Sequence, residues 1–89
     1  MRQFGKFKIE GDKIIHPNGT TIPEDEPIWL FRGRDELAVA ALKFYFELCE
    51  LNSCTDYQLL GIKTAIDKFE KFKIDHTDRM KQPGITKGA

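Results

Sequence analysis

Glu36-Leu37-Ala38-Val39-Ala40-Ala41-Leu42-Lys43-Phe44-Tyr45-Phe46-Glu47-Leu48-Cys49-Glu50-Leu51, joined through Asn52-Ser53-Cys54 to Thr55-Asp56-Tyr57-Gln58, is the stretch from which the architecture follows. At about 100° per residue, Glu36, Lys43, Glu47 and Glu50 share one stripe roughly 60° wide. Leu37, Val39, Leu42, Phe44, Tyr45, Phe46, Leu48, Cys49 and Leu51 spread around most of the remainder. This predicts a helix over 36–51, with Asp35 as its N-cap. A helix this apolar needs covering on more than one side, which points to a homo-oligomer formed through this first helix.

Thr55-Asp56-Tyr57-Gln58 has the form of a capping box, so a second helix starts there, antiparallel to the first because the connection is short. Leu59, Ile62, Ala65, Ile66, Phe69 and Phe72 fall on its inner face, and Lys63, Asp67, Lys68, Glu70 and Lys71 on the outer one. From Asp75 the apolar period stops, and residues 75–89 read as a flexible C-terminal tail behind a single domain over 1–74.

Upstream, Phe7 and Ile9 alternate with Lys6, Lys8 and Glu10, and Gly11-Asp12 offers a two-residue turn into Lys13-Ile14-Ile15-His16, a β-hairpin. Pro17-Asn18-Gly19 marks a second turn, with Thr20-Thr21-Ile22 as a short third strand. Pro23-Glu24-Asp25-Glu26-Pro27 is an exposed loop, since two prolines bracket three like charges. Ile28-Trp29-Leu30-Phe31 is apolar on both faces of an extended chain and reads as a covered central strand. The expected fold is therefore α+β: a small N-terminal antiparallel meander of three to four short strands followed by two antiparallel helices.

With 89 residues there is room for one domain, and a 40% hydrophobic fraction supplies a core. Fourteen basic and fourteen acidic residues cancel, which disfavours nucleic acid and anionic membranes as partners, so any anion site is local. Nothing resembles a signal peptide or a membrane span, and Cys49 and Cys54 read as reduced thiols, so a cytoplasmic location is expected. His16 and His76 stand in no nucleophile or metal motif, Cys49 lies on an apolar helix face, and Glu24 to Glu26 lack the spacing of a calcium loop. No catalytic residue, metal site or cofactor is expected, and the chain reads as a non-enzyme.

The strongest candidate site is the segment from Trp29 to Asp35. Arg32 and Arg34 flank Gly33 just before a helix N-terminus, where guanidinium and backbone N–H groups can converge on an anion, with Trp29 or Phe31 as a stacking surface for a base. The structural alternative pairs both arginines with Asp35, Glu36 or the 24–26 loop and buries both aromatics. Asp35 favours it, because it occupies the cap position an anion would take.

The run Ile22-Pro23-Glu24-Asp25-Glu26-Pro27-Ile28-Trp29-Leu30-Phe31-Arg32-Gly33-Arg34-Asp35, continuing into Leu37-Ala38, resembles a segment of short, largely uncharacterised proteins encoded by bacteriophages and prophages. In these a proline-flanked acidic loop leads into an apolar strand, an Arg, two variable positions and an Asp, then an apolar helix. Arg32 and Asp35 carry the resemblance, whereas Arg34 is this chain's own. The resemblance implies a phage accessory protein acting on host machinery in the bacterial cytoplasm. Several counter-defence proteins of that kind are compact oligomers that sequester nucleotide immune signals without cleaving them. By that analogy the expected function is a non-enzymatic sponge for a cyclic nucleotide or ADP-ribose-like signal, with Arg32, Arg34, Trp29 and Asp35 as ligand-binding residues. The competing expectation is an inhibitor or adaptor of a host protein, such as a defence effector or nuclease.

Overall fold

A computed structural model describes residues 2–82 and Gly84, with only the backbone described for residues 2–4. The chain divides into two compact units, Met1–Leu30 and Phe31–Ala89.

The first unit is a three-stranded antiparallel sheet of β1 (Arg2–Phe4), β2 (Phe7–Glu10) and β3 (Lys13–Ile15), in that order. Ile9 pairs with Ile14 and Glu10 with Lys13, as the hairpin reading requires. Gly5 and Gly11, at φ 54° and 61°, each open a two-residue turn whose first residue must be left-handed, a conformation glycine adopts without steric cost. Along β2, Phe7 and Ile9 are half-buried while Lys8 and Glu10 are exposed. The Phe7 ring meets His16 edge-on, with centroids 4.8 Å apart.

The α+β class stands, but the expected meander is corrected in its membership. β1 carries no alternation that three residues could display and was not expected. Thr20-Thr21-Ile22 contributes a single bridge, from Thr21 to Ile15, flanked by the His16 N–H bond to the Thr20 carbonyl and the Ile22 N–H bond to the Ile14 carbonyl. Asn18 Oδ1 takes both the N–H and the hydroxyl of Thr20, and Pro23 follows without a donor, so no ladder extends. Ile28, Trp29, Leu30 and Phe31 form no strand and all four are exposed, the reverse of the covered central strand expected. The outer edge of β3 is already engaged by Ile22, and residues 28–31 make none of the described backbone bonds to a strand.

The second unit is an αα-hairpin, α1 (Ala38–Leu51) and α2 (Asp56–Asp75), followed by one 3-10 turn (Thr77–Arg79). α1 starts two residues later than its composition predicts. Asp35 Oδ1 accepts the Leu37 N–H at 2.8 Å and the Asp35 carbonyl accepts that of Ala38 at 3.1 Å, so Asp35 caps the turn that feeds the helix, while Leu37 is the N-cap. Between the helices, Cys54 N–H reaches the Cys49 carbonyl and Ser53 N–H the Glu50 carbonyl, the two bonds of a Schellman motif, with Ser53 in the left-handed position at φ 57°. α2 opens as its capping residues predict, with Thr55 Oγ1 accepting the Gln58 N–H at 3.2 Å.

Cys49, Ile62 and Ile66 are the buried centre of the hairpin, surrounded by Val39, Leu42, Phe46, Cys54 and Leu59. All six residues assigned to the inner face of α2 are buried or half-buried. Lys43 crosses to Glu70 at 3.2 Å. After α2 the backbone does not run free. The Lys81 N–H donates to the Arg34 carbonyl at 2.8 Å and the Lys81 carbonyl accepts from Glu36 N at 2.9 Å, a parallel bridge between residues 35 and 81. Of the residues read as a tail, 75–82 thus carry the end of α2, the 3-10 turn and this bridge, and residues 83 and 85–89 lie outside the described ones.

At the end of α2, Lys71 Nζ donates to Asp75 Oδ2 at 2.7 Å, which holds the Asp75 carboxyl below its ordinary range and the Lys71 ammonium above its own. A lowered carboxyl pKa gives stability that is whole above the unfolded-state value and disappears as pH falls through the folded one. The raised lysine pKa loses its contribution only as pH rises through that value. Asp75→Asn should therefore lower the thermal midpoint at pH 7, and the gap to the parent should close in melts taken below about pH 4.

Candidate functional site

The four predicted ligand residues are divided by the structure. Trp29 lies in the first unit and is 83% exposed, while Arg32, Arg34 and Asp35 lie at the start of the second. Arg32 is exposed and Arg34 half-buried. Among the described residues of the helical unit the ion pairs are Lys43–Glu70 and Lys71–Asp75, so neither arginine is tied to an acid there. Asp35 accepts the Leu37 N–H through Oδ1, the bond of a turn former.

Gly33 faces Phe72: a Cβ at Gly33 would stand 3.4 Å from Cγ of that ring, an ordinary contact, so the Arg-Gly-Arg segment passes close to α2. The same ring carries the Arg79 guanidinium, 4.9 Å from its centroid, and the His76 imidazole at 4.8 Å. Phe72 thereby gathers the start and end of the helical unit, and Lys81 is bonded to Arg34 beside it. Arg79 and Lys81 are cations at this corner that composition alone did not assign. The only signal for them was a pair of basic residues flanking Met80, beyond the apolar face of α2. Asp78 and Glu36 stand in the same segments, so the local charge stays nearly balanced.

The cysteines meet for a structural reason. Cys49 and Cys54 occupy the positions whose side chains touch across a Schellman motif. The hydrogen bond with Cys49, helped by burial, pushes the Cys54 thiol above its ordinary value, and the charge and hydrogen bond of Cys49 raise the Tyr45 phenol. A raised thiol pKa is the opposite of what an activated thiolate has. Among the described residues no group of three His, Cys, Asp or Glu side chains is placed to hold a metal ion, and no helix is long and apolar enough to cross a membrane.

The more prominent feature is apolar exposure. The described buried hydrophobics are Ala38, Cys49, Ile62 and Ile66, whereas large apolar side chains stand exposed along residues 28–31 and on both helices. No family model, curated protein or solved structure matches the chain.

Proposed function

We propose that this chain is a non-enzymatic interaction protein that inhibits or adapts another protein, in the manner of a phage factor aimed at a host effector or nuclease. The observation that carries this reading is the run Ile28, Trp29, Leu30 and Phe31, exposed throughout and outside any sheet, directly after the exposed acids Glu24, Asp25 and Glu26. Exposed tryptophan beside aliphatic residues is the composition of an interface anchor, and the acids suit a partner whose apolar groove has a basic rim. Affinity purification from bacterial lysate should recover one dominant partner. Trp29→Ala should weaken that complex by at least about tenfold, and reversal of all three acids to lysine should abolish it, with the circular dichroism spectrum unchanged. A complex indifferent to both changes would refute the reading.

A second reading, sequestration of a cyclic nucleotide or ADP-ribose-like signal, draws support from Arg32 and Arg34 having no ion-pair partner in the helical unit. Calorimetry against such nucleotides should show binding that Arg32→Ala and Arg34→Ala each diminish. Undiminished binding in both variants would sink it.

A further inference from the structure

Leu37, Ala41, Phe44, Leu48 and Leu51 follow one another at spacings of four, three, four and three residues, the a/d alternation of a helix seam. This row is not the one that packs on α2. Leu42 and Cys49, which reach the hairpin core, lie about a third of a turn away, and Val39 and Phe46 close to half a turn. Leu37 is 53%, Phe44 62% and Leu51 80% exposed, with Leu48 and the flanking Tyr45 also open. α1 therefore carries two apolar seams, of which the hairpin uses one.

We infer that the second seam is the contact surface for another copy of this chain, two αα-hairpins pairing antiparallel through α1 so that each α1 lies between its own α2 and the α1 of the other copy. The row itself contains no charge, so its mate must be equally apolar, and the row meets that requirement itself. Inversion also matches large against small: with the two-fold axis near Phe46, Phe44 meets Leu48 of the second copy and Ala41 meets its Leu51. The exposed parts of Leu37, Phe44, Tyr45, Leu48 and Leu51 amount to roughly 500 Å² per protomer, and about 1,000 Å² for the pair reaches the threshold of a specific interface. Orientation follows from charge. α1 has no acid in its first turn and no base in its last, while Glu47 and Glu50 crowd its C-terminal half. Parallel pairing would bring four carboxylates together beside two negative helix ends, whereas antiparallel pairing separates them and sets helix ends of opposite polarity side by side.

Sedimentation and native mass measurement of the full chain should give a species of twice 10.3 kDa. Phe44→Glu with Leu48→Glu should raise the dissociation constant by about a hundredfold or more, giving monomer while helicity is retained, because both positions are already open to water. Leu51→Cys in a Cys54→Ser background should not form a disulfide-linked dimer on oxidation, since the two copies of residue 51 stand about 15 Å apart along an antiparallel pair. Monomeric wild type at high micromolar concentration, or a dimer that survives the double glutamate change, overturns the proposal. A ready Leu51→Cys cross-link overturns its orientation. Trp29→Ala leaves the mass unchanged, so failure here and failure of the partner-binding reading are separate results.

Discussion

Ile66→Ala should lower the unfolding free energy of the helical unit by about 2–4 kcal/mol, read as a drop in the urea midpoint with little change in slope. Ile66 is 8% exposed and sits with Ile62 and Cys49 at the only described cluster of buried side chains in this hairpin. Removing its branched end deletes transfer free energy and leaves a void that neighbouring Leu42, Phe46 and Leu59 fill only in part. Domains of this size hold stabilities near the low end of about 5–15 kcal/mol, so one such change removes a large share. Leu60→Ala on the exposed side of the same helix is the control and should stay within about 0.5 kcal/mol.

Phe72→Ala should cost about 2–3 kcal/mol and, more diagnostically, release both ends of the helical unit. Its ring is the surface on which Gly33, His76 and Arg79 meet. Without it the bridge from Arg34 and Glu36 to Lys81 has only its own two backbone bonds, each worth about 1 kcal/mol net. Amide exchange should accelerate at Glu36 and Lys81 well before it does at Ile66. Phe72→Leu, which keeps part of the apolar surface but no π face for Arg79, should fall between the two.

The parts of the structure that could be read in advance are those set by neighbours in the chain. Alternation around Gly11-Asp12 located β2 and β3, and the Thr55 cap with the face of Leu59, Ile62, Ile66 and Phe69 located α2. Elements that depend on distant or unusual partners were hidden. An apolar run such as Ile28 to Phe31 has the same composition whether it is covered by its own fold or presented to another molecule, so periodicity could not separate the two. Asp35 has the chemistry of a helix cap, and only the bond to Leu37 shows that it serves the preceding turn. The pairing of Lys81 with residues 34 and 36 leaves no mark on the composition of 75–82. The Schellman turn was masked because serine, not glycine, takes its left-handed position. Of the site, the sequence pointed to the Arg-Gly-Arg segment but not to Phe72 as the ring beneath it.

The doubled apolar surface of α1 has a consequence during synthesis. The pairings of the first unit join adjacent strands through short turns, so it can close soon after it leaves the ribosome. α1 emerges next with both of its seams bare, and α2, which covers one of them, follows through residue 75. Until α2 is complete the nascent chain shows Leu42, Phe46 and Cys49 together with Phe44, Leu48 and Leu51, the most adhesive surface it ever presents. A chain truncated after Asn52 should therefore show more chaperone capture and aggregation than one truncated before α1.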